Sequence, residues 1–188
     1  MVRVALDNLI TELNSVPEKY FDFETVSDCL KTHSVEEVSL EPYLFFNPGQ
    51  PARNLVFKND LFELLVVCWE IGQESAVQSY PSAKCWITLL AGRLRLQNYQ
   101  LLEQKSQNRL NLTDDFEIRK SSPVVISPEA PVHQLLNVTS FKDRAVSLHI
   151  YSPPTVEQIV YSIRRKGLSS STRRAVYHSR YGRRDDPM

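Results

Sequence analysis

Between residues 54 and 151 the chain is cut into short apolar or alternating runs, and this spacing constrains its fold more than any other feature. The runs fall at 54–57, 62–69, 76–80, 85–91 and 94–102, then at 124–127, 132–138 and 145–151. Turn-forming pairs punctuate them, among them Asn59-Asp60, Pro81-Ser82 and Ala91-Gly92, and a polar stretch fills 104–111. Many short strands at close spacing predict an antiparallel β-sandwich or barrel. Ahead of them Val4, Leu6, Leu9, Ile10 and Leu13 recur at helical spacing, which predicts an amphipathic helix over 2–14, with a second over 28–40. Pro42 and the Asn47-Pro48-Gly49 turn end that helical start. The helices are expected to cap the barrel.

A chain of 188 residues with 42% hydrophobic content suits one globular domain over 1–188, with a helical part at 1–45, a barrel at 50–163 and a basic segment at 164–188. Lys plus Arg and Asp plus Glu number 22 each, so no overall attraction to nucleic acid or lipid follows. Locally the balance breaks: residues from Arg164 on carry +6, leaving −6 on the rest, and Ser169-Ser170-Ser171 is expected to be a mobile turn within that basic region. Cys29, Cys68 and Cys85 are odd in number and lack metal-ribbon spacing, which points to a reducing, cytoplasmic setting. No apolar run approaches the roughly 20 residues of a membrane span, so no membrane partner is expected.

The motif with chemical content reads G-x5-Q-x-Y-x4-C-x6-G, from Gly72 through Gln78, Tyr80 and Cys85 to Gly92, followed by P-x-A-x2-H-x3-N from Pro128 through Ala130 and His133 to Asn137. Gly72 and Gly92 are expected to bracket a hairpin. This spacing resembles the two-part cupin pattern and, in detail, the cysteine dioxygenase family, which also carries Cys where other cupins have Glu. Arg53-Asn54-Leu55-Val56 resembles the family segment whose Arg binds the substrate carboxylate, and Ser147-Leu148-His149-Ile150-Tyr151-Ser152-Pro153-Pro154 resembles its Ser-x-His-x-Tyr segment. His178-Ser179-Arg180-Tyr181-Gly182 is similar to its C-terminal stretch. The resemblance implies a mainly β cupin, a small antiparallel β-barrel or jelly roll with N-terminal helices. It also implies a non-haem Fe(II) site held by three His, where a thiol is oxidised to a sulfinate, with Ser147, His149, Tyr151 and Cys85 beside it and Arg53 on the carboxylate.

The sequence departs from that pattern at the metal. Gln78 and Tyr80 stand where the family has its His-x-His pair, and only His133 keeps its position. An amide oxygen is a weak donor, and a phenol ligates only once deprotonated. The leading expectation is therefore a divergent cysteine dioxygenase-like protein with a degraded iron site, no tightly bound cofactor and a surviving pocket for a small carboxylate or thiol. Two other readings stand beside it. One is an active thiol dioxygenase with Fe(II) on Gln78, Tyr80 and His133. The other is a module whose basic C-terminal face contacts RNA or an acidic protein. Individual residues keep two readings as well: Tyr80 fills the metal's space or hydrogen-bonds His133, His149 and Tyr151 are a core pair or catalytic, and Cys85 is expected uncrosslinked to Tyr151. Pro51 stands where cysteine dioxygenases often carry Tyr, which loosens the preference for cysteine.

Overall fold

A computed structural model describes residues 2–102, 108–120, 122–127, 129, 132–155, 157–164 and 167–184. Pro128 and Ala130 of the motif, Arg165 and Lys166, and Asp185 and Asp186 lie outside the described residues.

The chain opens with a short strand, β1 (Val2–Val4), and helix α1 (Leu6–Ser15), which buries Leu6, Leu9 and Leu13 at the predicted spacing. Helix α2 (Phe23–Thr32) differs from the predicted 28–40 segment. It starts earlier because the Asp22 side chain accepts the Thr25 N–H at 2.9 Å, an N-cap of the kind worth about 1 kcal/mol. It stops at Thr32 because His33–Val35 leaves it to form β2, which pairs in parallel with β1. Among the described residues no helix is long and apolar enough to cross a membrane.

The barrel strands follow: β3 (Ala52–Lys58), β4 (Glu63–Trp69), β5 (Val77–Ser79), β6 (Lys84–Ala91), β7 (Arg95–Leu102), β8 (Arg109–Glu117), β9 (Val124–Ile126), β10 (His133–Leu136), β11 (Ala145–Ser152), β12 (Glu157–Arg164), β13 (Gly167–Arg174), β14 (Ser179–Arg180) and β15 (Arg183–Arg184). They make two sheets. One runs β13-β12-β5-β10-β7-β8 and the other β15-β14-β3-β4-β11-β6-β9, antiparallel throughout except where β14 joins β3.

Period-2 alternation divides the core in two. Along β4, Leu64, Val66 and Cys68 face outward under the helices, with Leu9, Leu13 and Val26, while Leu65, Val67 and Trp69 face inward between the sheets, with Ile87, Leu96 and Leu135. This strand is buried on both sides, which accounts for its unbroken apolar run. The helices thus cover the outer face of the seven-stranded sheet.

Two expectations are corrected. Gly72 and Gly92 do not bracket a hairpin: β5 and β6 between them belong to different sheets, so Gln78 and Cys85 approach the interior from opposite sides. Gly92 itself is needed, since its φ is +71° and an added Cβ would strike the Arg144 carbonyl and lie 2.8 Å from Ala145 Cα. Ser169-Ser170-Ser171 is not a turn but the middle of β13, in full register with Val160, Tyr161 and Ser162 of β12. Part of the basic segment is therefore sheet, continuous with the barrel.

Candidate functional site

β5 ends just before Tyr80 and pairs with β10 so that Gln78 and His133 are direct cross-strand neighbours. From the other sheet, β3 supplies Arg53, β6 supplies Cys85, and β11 supplies Ser147, His149 and Tyr151 on one face by alternation. Tyr151 and Cys85 are register partners across β11 and β6. The fold thus assembles the candidate residues from both sheets at one end of the inner core.

At the centre stands Tyr80, 2% exposed, its ring centre 4.8 Å from that of Tyr151 and 6.0 Å from that of His133. Its hydroxyl accepts from Arg53 Nη1 at 2.9 Å and donates to Gln158 Oε1 at 2.9 Å. Tyr80 does point inward, as its position in the motif requires, and its oxygen is engaged by Arg53 and Gln158.

Arg53 as a residue is partly exposed, yet its Nε and Nη2 are shut from solvent and have no hydrogen-bond partner. Of the buried side-chain nitrogens among the described residues, only these two are left so. Burial alone would lower its pKa, but the Tyr80 and Tyr151 hydroxyls and Glu63 more than offset that, so the pKa is raised and the group stays cationic. The Arg53 backbone N–H is taken by His178 Nδ1 at 3.0 Å, which brings the C-terminal stretch singled out in the sequence to the site.

Behind Tyr151 runs a chain of polar groups. Trp69 Nε1, a donor only, gives its hydrogen to Ser147 Oγ at 2.9 Å, and Ser147 Oγ lies 2.8 Å from His149 Nε2. On its other side, His149 Nδ1 lies 3.3 Å from the Tyr151 oxygen. Burial, reinforced by the Arg53 charge, holds the His149 pKa well below the usual imidazole range, and burial raises that of Tyr151 well above the usual phenol range. Both are neutral at physiological pH. Burial also pushes the Cys85 thiol up to about 12, so it is a protonated thiol, and it forms no disulfide among the described residues.

A cavity of about 250 Å³ opens beside these groups, with Arg53, Gln78, His149 and Tyr151 on its wall. A larger one, about 350 Å³, is lined by Tyr80 with Pro153, Pro154 and Glu157. Gln158 borders both, and Tyr80, which donates to it, lines the larger one. His133 lines neither cavity, and the pocket is displaced toward Arg53 from the position expected between Gln78, Tyr80 and His133. Among the described residues no group of three or more His, Cys, Asp or Glu is disposed to hold a metal.

Sequence reading missed Gln158 and the role of Trp69. Gln158 alternates with Val160 on a strand that carried no recognised pattern, and the Trp69 donor bond joins residues 78 positions apart, so neither had a local signal.

The family model described as cysteine dioxygenase type I matches residues 3–164. The cysteine dioxygenase type 1 of Danio rerio is 25% identical over 181 residues, covering 95% of this chain and 89% of that protein. That of Rattus norvegicus is 30% identical over 132 residues, covering 70% of this chain and 65% of that protein. Among solved structures, an uncharacterized conserved protein with a double-stranded β-helix domain from Klebsiella pneumoniae superposes with a TM-score of 0.53 at 16% identity, covering 65% of this chain and 88% of that one. At that identity the likeness speaks for the fold, which is the cupin double-stranded β-helix.

Proposed function

This chain belongs to the cysteine dioxygenase type I family, and from that premise we propose that it is a cytoplasmic cupin which binds a small carboxylate in a pocket without resident iron. One observation carries the carboxylate. The Nε–Nη2 edge of a guanidinium is a fork for two parallel bonds to a carboxylate, and Arg93 and Arg144 use it in this way on Glu117 and Glu70. On Arg53 the same edge is buried, charged and unpartnered, in a residue that lines a cavity. Burying donors unmet is costly, so a ligand that supplies two acceptors there is strongly favoured.

The donors at the three metal positions do not fit ferrous iron. Gln78 offers a neutral amide and His133 a single imidazole. The Tyr80 hydroxyl donates to Gln158 and lies beside the Arg53 cation, which repels a second cation at the phenol oxygen. The hydrogen-bonded Ser147–His149–Tyr151 chain favours the second reading, an active thiol dioxygenase with an altered metal shell.

Anaerobic loading with Fe(II), desalting and elemental analysis separate the two, together with melting curves in chelator with cysteine, propionate or cysteamine, which lacks the carboxylate. Far less than one iron per chain is expected, with a raised melting temperature for cysteine and propionate only, lost in Arg53→Met. One retained iron per chain with cysteine-dependent oxygen uptake overturns the binder in favour of the dioxygenase.

A further inference from the structure

The cavity beside Arg53 carries more positive charge than one carboxylate uses. Arg173 and Arg174, at the end of β13, also line it, against a single acidic side chain, Glu74. Neither arginine makes an ion pair among the described residues. Arg173 is the register partner of Gln158 and so stands on the same face of the sheet, toward the site. Glu157, the cross-strand neighbour of Arg174, lines the other cavity and makes no ion pair with it. Residues 1–163 carry −6 overall, so this cationic wall is set against the sign of the body around it.

We propose that the ligand is a small dianion: one carboxylate on the buried Nε–Nη2 edge of Arg53, and a second anionic group, carboxylate, sulfonate or phosphate, held at the cavity mouth by Arg173 and Arg174. The inference rests on the carboxylate reading given above and narrows it. The two ends of the site differ in kind. Arg53 is fixed by Tyr80 and grips a planar acceptor with defined geometry, whereas the mouth arginines are exposed and act as charge, with little demand on shape. The volume of about 250 Å³ is roughly eight times that of a water molecule in the liquid, at ~30 Å³ each, which sets the scale of the ligand to a short-chain diacid rather than a nucleotide.

Titration calorimetry at low ionic strength, in chloride buffer with chelator, compares propionate with succinate, which differ by one carboxylate. Succinate is expected to bind at least about tenfold more tightly, equivalent to about 1.4 kcal/mol. The double variant Arg173→Gln, Arg174→Gln is expected to bring succinate down to the propionate level. The charge-matched control Arg183→Gln, Arg184→Gln, on residues outside the cavity wall, is expected to keep the preference. Equal binding of the two acids by the unaltered protein overturns the dianion, as does loss of the preference in the control, which would mark bulk attraction. Failure of both acids to bind overturns the carboxylate reading itself, and the dianion with it.

Discussion

Tyr80 and Arg53 hold each other in place at the centre of the barrel: Nη1 donates to the phenol oxygen at 2.9 Å, and the guanidinium carbon lies 5.4 Å from the centre of the neighbouring Tyr151 ring. Tyr80→Phe removes that acceptor and leaves Nη1 and the Gln158 carbonyl without this bond. A buried polar group so stranded costs roughly 1–3 kcal/mol. For a domain of this size that is a melting temperature lower by about 2–4 °C per kcal/mol, read by calorimetry. An unchanged transition would show that the guanidinium does not depend on the phenol.

Restoring imidazoles tests the metal argument from the opposite direction. Gln78 and His133 are already cross-strand neighbours, and Tyr80 follows two residues later on the same face. The double variant Gln78→His, Tyr80→His is expected to retain about one Fe(II) per chain after desalting, at least tenfold above the parent. No gain in iron by elemental analysis would mean that the three positions do not converge.

His149 sets a pH dependence. Its folded pKa is lowered by burial and by Arg53, so below the unfolded value of about 6.5 the unfolded chain takes up a proton that the folded chain refuses. The stability it contributes is therefore present above pH 6.5 and lost as pH falls below it, by up to about 1.4 kcal/mol per pH unit. Denaturant midpoints between pH 7 and pH 5 are expected to fall in the parent and to fall less in His149→Asn. Parallel slopes in the two proteins would remove His149 as the cause.

The cysteines differ in access. Cys68 and Cys85 are fully buried, and burial pushes each thiol up to about 12, whereas Cys29 is half-buried near the surface helix. An aromatic disulfide reagent at pH 8 is expected to find one slowly reacting thiol in the folded protein and three after denaturation. Fast reaction of Cys85, identified by mass spectrometry, would contradict a sealed core.

The strands legible in the sequence are those with a buried face. β4 and β11 announced themselves because every residue of each is buried, and β3, β6, β7 and β10 because they alternate or carry apolar runs. β8 and β13 did not, because nearly all their side chains are exposed, and their ladders to β7 and β12 depend on backbone pairing that leaves no mark on hydropathy. The site divides in the same way. Arg53, Gln78, Tyr80, Cys85, His133, His149 and Tyr151 were readable through their spacing in a motif. Gln158 and Arg173 owe their place to a hairpin that registers them opposite each other and beside β5, a relationship that exists only in three dimensions.

The bond from the Arg53 N–H to His178 spans 125 residues, and the same terminal stretch returns Tyr177 to the buried Glu63 carboxylate at 2.5 Å and β14 to the edge of β3. The wall that holds the ligand arginine is therefore closed by chain made long after the arginine itself. On a ribosome, β3 and β4 emerge well before the residues near 180 that complete their hydrogen bonds. A chain cut before residue 177 would lack every one of these contacts to β3 and β4.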